Sequence, residues 1–288
     1  MKRSLLLLLF STALELTGSL FLNPLHAQGF GQRKWPDLIP LDGKMKRGGF
    51  YFAPGVTYAL ARGKDREVEV FRAADTSYTA IYDPNGRFGV YLEAGWFHAT
   101  RDPVILDYWD FGLAYKQLKG TEDFTGILQR GDSVAMIAGS GAFRDQYLTL
   151  HINANKFFQT GRYQFVQLSL GVNGDLDIGS SRAHTGDPFL NQHEFPPGLI
   201  AQGHVKLGYG FKMTQRLFVI PAIETPVFSV VPQDQGFGQL QWFSSPYRPL
   251  ILSIRFLFLR YPKGFDCVPV KNNAFEKHKV VNPEYNRP

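Results

Sequence analysis

A single cysteine, Cys267, occurs in the 288 residues. No disulfide can therefore close within one copy, and no cysteine follows the N-terminal segment to accept a lipid anchor. Long apolar runs are also missing: nothing after residue 27 approaches the roughly 18 to 20 residues that an α-helical membrane span needs. No segment keeps a helical period, and no repeat of roughly 20 to 50 residues recurs. The body of the chain has almost no net charge. The formal +6 collects at the ends, with five basic and two acidic side chains in residues 28–47 and five and three in residues 262–288. A neutral body excludes nucleic acid as a natural partner and leaves anionic headgroups or cell-wall polymer as the charge complement of the two tails.

Aromatic residues are abundant. With 25 Phe, 13 Tyr, 4 Trp and 44% hydrophobic content, the chain is not a disordered one. Lys2 and Arg3 precede the apolar run Leu5 to Leu14, and a small residue, Ala27, ends the segment, which is the layout of a secretory signal peptide over 1–27. Glu15 interrupts that run and Leu25 stands where a small residue is preferred before the cut. Residues 28–47 read as an extended lead-in on the periplasmic side and 262–288 as a periplasmic tail rich in Pro and charge.

Between these ends the dominant signal is a period of two. In residues 147–176, Leu148, Leu150 and Ile152 alternate with Thr149, His151 and Asn153, and after a short turn near 159–162 Leu168 and Leu170 alternate with Gln167, Ser169 and Asn173. Phe50 to Leu60 shows large residues on one face and small ones on the other, which suits the crowded interior of a small barrel. The pattern returns at 88–98, 108–116, 201–212, 217–224 and 250–258, while 67–82 is a weaker strand ending in a turn at Asp83-Pro84-Asn85-Gly86. Residues 119–145 break the rhythm with five glycines and hide one further strand near 133–142; 179–197 and 232–248 read as long loops. Pro221 within a strand implies a bulge.

A face of one kind and a face of another fits a soluble sheet or a membrane barrel. The polar face decides in favour of the barrel, because it is rich in Gly, Ala, Asn, Gln, Ser and Tyr rather than Lys and Glu, as an enclosed lumen would be. The 214 residues from 48 to 261 then give an all-β antiparallel transmembrane β-barrel of about ten strands, with eight to twelve compatible with the length. Its lumen would take Glu93, Asp110, Lys116, His151, Asn153, Asn155, Gln167, Asn173, Gln202, His204, Lys206, Glu224 and Arg255. Its lipid face would take Trp109, Phe111, Leu113, Leu148, Leu150, Ile152, Leu168, Leu170, Val205, Leu207, Leu252, Ile254 and Phe256. Tyr108, Trp109, Phe157, Phe158, Tyr163 and Tyr261 would form interfacial girdles.

With a first strand GGFYFAPGVTYAL, alternating strands throughout and a last strand LILSIRFLFLRY, the chain resembles the bacterial outer-membrane β-barrel proteins. The stretch HINANKFFQTGRYQFVQLSLGVN is similar to uncharacterised barrels of the Bacteroidota. The resemblance implies the outer membrane of a Gram-negative bacterium, with lipid as the first partner and other envelope proteins reached through the tails or loops. It names no activity, and many such proteins end on an aromatic strand residue where this chain continues past Tyr261.

Coexisting acids and bases in the lumen read first as a self-satisfying network, because buried charges must pair. His151 with His204 and a carboxylate lacks metal-ligand spacing, so neither a metal nor a cofactor is expected. His98 and His184 lack a Ser or acid partner nearby and read as solvated loop residues rather than catalytic ones. The expected role is structural or accessory, as a subunit of an envelope assembly or secretion complex. A narrow channel for a polar solute and a lipid-modifying or proteolytic barrel enzyme are the alternatives.

Overall fold

The residues of the alternating stretches pair, in the computed structural model, into ten antiparallel strands: β1 Gly48–Ala61, β2 Arg66–Ala73, β3 Thr76–Ala99, β4 Tyr108–Arg130, β5 Ser133–Gln159, β6 Gln164–Thr185, β7 Leu199–Lys212, β8 Leu217–Val231, β9 Leu240–Trp242 and β10 Ser245–Leu259. The structure describes residues 38, 47–73, 76–100, 105–186, 195–231 and 238–260. The signal segment, nearly all of the lead-in, Tyr261 and the C-terminal tail with Cys267 lie outside the described residues.

Eight of the ten strands form a closed ring. β1 pairs β3, consecutive neighbours pair from β3 through β8, β8 pairs β10, and β10 returns to β1 from Gly49↔Leu259 to Ala61↔Tyr247. β2 continues the line of β1 along the same neighbour β3, and β9 folds back on the start of β10. The turns near 160–163 and 213–216 lie at the end where β1 starts and β10 finishes, here the lower rim. The longer connections after β6 and β8 lie at the upper rim.

The staves are unequal. β1, β7, β8 and β10 have 14 or 15 residues, whereas β3, β4, β5 and β6 have 24, 23, 27 and 22. With β2, the upper parts of these four long strands rise beyond the ring as a wing. Register slips at Arg87/Tyr91 and Gln146/Tyr147 mark its base, consistent with bulges at barrel rims. The slip reverses the parity of β3: Tyr91, Glu93 and Phe97 point inward below it, and Tyr78, Ala80 and Tyr82 above it.

Several expectations change here. Residues 119–145 contain no additional strand; they are the upper halves of β4 and β5, joined at Gly131, whose φ of +55° suits the tight turn. Residues 67–82 are two strands rather than one. Asp83-Pro84-Asn85-Gly86 is not a turn but part of β3, paired with Gly120 to Asp123. Pro84 fits because it lies between the β3 rungs used by β1, which stop at Phe88, and those used by β2, which start at Tyr82. Its missing N–H therefore removes no bond on that side. Residues 179–185 belong to β6, and the loop expected over 232–248 holds β9 and the start of β10. Pro221 causes no slip, since Gly208↔Ala222 and Phe211↔Val219 share one register; of the two slips between β7 and β8, one falls beside Pro226 and the other between Ser229 and Val231.

Candidate functional site: the sealed lumen

The alternation turns one row of side chains outward from every stave. Phe50, Phe52, Val56 and Leu60 of β1 are exposed, as are Trp109, Phe111 and Leu113 of β4, Leu148, Leu150 and Ile152 of β5, Leu168 and Leu170 of β6, Leu207 of β7, and Leu252 and Ile254 of β10. Val205 and Phe256 face the same way and are half-buried by their neighbours. From Phe50 to Leu60 this belt is roughly 25 Å tall, at about 3.3 Å per residue and about 40° of strand tilt. Above it charged side chains, Arg87, Lys119, Asp123 and Arg144, join the outward positions among exposed apolar ones such as Ile127 and Met136. A closed antiparallel ring of even strand number wearing an apolar band of this height is an outer-membrane barrel of the Gram-negative type.

The inward row is buried throughout. All thirteen lumen candidates, from Glu93 to Arg255, are at most 7% exposed. Arg255 of β10 is the hub: its Nη2 lies 2.8 Å from Glu93 Oε1, its Nη1 2.9 Å from Asp110 Oδ2, and its guanidinium 4.0 Å from the centre of the Tyr51 ring. Lys206 reaches Glu224 at 2.9 Å and Glu93 at 3.4 Å. His151 Nε2 meets Tyr51 Oη at 2.7 Å and Glu93 Oε1 at 3.0 Å. Asn153 and Asn155 donate to Asp110 at 2.8 and 2.7 Å, Gln167 donates to Asn155 at 2.9 Å, and His204 meets Asn153 at 2.6 Å. Higher up, Lys116 and Thr149 converge on Asp175, and Gln202 donates to Ser229 at 3.1 Å. Asn173 is buried nearby with its Oδ1 unpartnered among the described residues.

The network draws on all eight ring strands, and glycines leave room for it. A Cβ on Gly95 or Gly112 would come within 2.6 or 2.4 Å of Tyr51 Oη, so these two positions leave the space in which Tyr51 leans across the lumen.

Apolar layers close both ends. Below the network, Tyr51, Phe97, Tyr108, Phe165, Phe218, Leu257 and Leu259 pack together, joined by Leu38 of the lead-in, whose carbonyl accepts from Lys212 Nζ at 2.6 Å. Tyr108 and Phe157 thus belong to this lower plug and not to an outer girdle, because they share the parity of Asp110 and Asn155. Trp109, Phe158 and Tyr163 do face outward. Above the network, Leu118, Phe143, Tyr147, Ile200, Leu240, Trp242, Phe243 and Tyr247 form a second plug. The Trp242 ring stacks on Phe143 at 4.5 Å and its Nε1 donates to Asp145 Oδ2 at 2.6 Å. Phe243 holds a left-handed backbone (φ 54°), and its ring lies where a Gly141 side chain would be.

Beside this cap Glu122 accepts from Ser244 N–H at 3.2 Å, and its other oxygen has no partner among the described residues. Burial pushes its carboxyl up to about 7. Sequence reading missed the cap because its parts came from stretches without clean alternation. The available signal was the pairing of bulky rings with glycines, Phe143 over Gly120 and Phe243 over Gly141.

Glu93, Asp110 and His151 bring ligand atoms within 4.8 Å of one another, a spacing a cation could use. Both carboxylates already accept from Arg255, and Glu93 from Lys206, so an arriving cation would meet two fixed positive charges. His98 and His184 stand on strands, not loops, at opposite rims. They cannot share one site.

No protein-family model and no curated protein matches the chain. Among solved structures, it is similar to the outer membrane protein OprG of Pseudomonas aeruginosa, at 11% identity and a TM-score of 0.40 over 75% of this chain and 99% of that one. It is also similar to Ail, the attachment invasion locus protein of Yersinia pestis (10%, TM-score 0.25, 74% and 100%). A third is the translocator domain of the autotransporter NalP from Neisseria meningitidis (9%, TM-score 0.27, 73% and 88%).

Proposed function

We propose that this barrel is a non-conducting, non-enzymatic accessory protein of the outer membrane, a subunit of an envelope assembly or secretion complex that holds a raised β-wing at one rim. The observation that carries this reading is the filled lumen. A polar network in which every member is at most 7% exposed, stoppered by apolar rings above and below, leaves no continuous path for a solute among the described residues. The ionic cluster then acts as a structural core: its carboxylates are held by Arg255, Lys206, Asn153 and Asn155 rather than aimed at an opening.

Planar-bilayer recording tests this directly. The refolded full-length protein is expected to give no discrete open-channel steps, and in mild-detergent membrane extracts it is expected to migrate in a complex larger than its own 32.5 kDa. Stable conductance steps would overturn the reading in favour of a narrow channel. Migration as a monomer would remove the subunit role.

A further inference from the structure

The outer surface carries one feature that the sealed lumen and the wing do not use. On β3 and β4, near the lower rim, Trp96 stands across from Phe111 and His98 across from Trp109. The rings form a continuous wall: Trp96 and Phe111 are stacked at 5.8 Å and 25°, Trp109 and Phe111 at 5.9 Å and 24°, and His98 lies 6.0 Å from Trp109. Trp96, Phe97, His98, Trp109 and Phe111 line a groove there. Trp96 at 57%, Trp109 at 41% and Phe111 at 40% exposure are left open by the protein itself.

The groove lies in the lower part of the apolar belt, with His98 the lining residue of β3 nearest the rim. The carbonyl of Arg47 accepts from Ala99 N–H at 2.7 Å, so the Arg47 backbone lies next to the His98 end of the groove. Among the described residues of the lower rim the one acid, Asp107, is paired with Lys156 at 3.4 Å, and Arg47, Arg162 and Arg260 add positive charge there. Short turns and both ends of the barrel place this rim on the periplasmic side. A flat aromatic wall suits an acyl chain, the indole and imidazole edges suit the headgroup level, and a basic collar suits a negative headgroup.

We propose that this groove binds an anionic phospholipid of the periplasmic leaflet, with an acyl chain along Trp96, Phe111 and Trp109 and its phosphate at His98 and Arg47. A zwitterionic lipid would share the chain contact and lack the net charge that the collar complements.

Native mass spectrometry of the full-length barrel extracted from vesicles of equal phosphatidylethanolamine and phosphatidylglycerol tests this. Phosphatidylglycerol is expected to remain bound under activation that strips phosphatidylethanolamine, and Trp109→Leu combined with His98→Ala should lower the retained fraction about tenfold. Heat-modifiable gel migration checks that each variant is folded. Should Trp109→Leu prevent folding, Arg47→Ala with His98→Ala, which leaves the aromatic wall in place, must lower the preference for the anionic lipid. Equal retention of both lipids, retention unchanged in the variants, or a second copy of the chain bound in place of lipid would each overturn the proposal.

Discussion

Arg255 is the residue on which the lumen depends most, because two carboxylates on β3 and β4 are neutralised by one guanidinium from β10. Arg255→Met should leave Glu93 with Lys206, His151 and the Tyr91 hydroxyl and Asp110 with neutral amides and His151, at a cost of about 3 to 5 kcal/mol, since breaking a buried pair strands its partner. The urea midpoint for loss of the heat-modifiable form measures this. On the other face, Leu150 is 57% exposed to the bilayer, and Leu150→Arg should cost roughly 2 to 4 kcal/mol if its level is the midplane. Near-neutral behaviour of Leu150→Arg in bilayers would count against lipid contact there. Individual lumen residues were legible because parity alone assigns them: Asp110, Asn153 and Asn155 follow from the period. Their mutual partners were not, since which rows meet across a ring depends on stagger between strands far apart in sequence.

At the scale of elements, the cap formed by β9 and the start of β10 is pinned through Ser244 to Glu122. The carboxyl is raised from its ordinary 4.5 to about 7 by burial, so the folded state keeps a proton that the unfolded chain releases. Stability from this group is therefore full below about pH 4.5, falls as pH rises towards 7 and is flat above, a loss on the order of 3 kcal/mol. Hydrogen exchange at Ser244–Tyr247 should accelerate from pH 5 to pH 8 beyond the intrinsic rate, and Glu122→Gln should abolish that excess. If the excess persists in Glu122→Gln, another group is responsible. The cap and the wing were the elements least visible in the sequence. The ring strands announce themselves because lipid on one side and lumen on the other impose strict alternation. The upper parts of β4 and β5 carry no such constraint, for water reaches Val134 and Met136 at 64% and 75% exposure, and the parity reversal at Arg87/Tyr91 disguises β3 as a weak strand followed by a turn.

For the molecule as a whole, membrane insertion was readable from composition and period together, and the closed ring gives them their meaning. The expected ten strands equal the number of strand elements, of which eight close the ring. Closure has a consequence in time. Seven of the eight neighbouring pairs in the ring join strands that follow one another closely along the chain, so each can zip as a hairpin soon after it is made. The eighth, β1 with β10, waits for the last strand to be delivered. Until that moment both strands present bare hydrogen-bonding edges. The joining of Gly49 through Ala61 to Tyr247 through Leu259 is thus the committing event of biogenesis, the step that turns an adhesive ribbon into a closed ring whose open edges are confined to the wing.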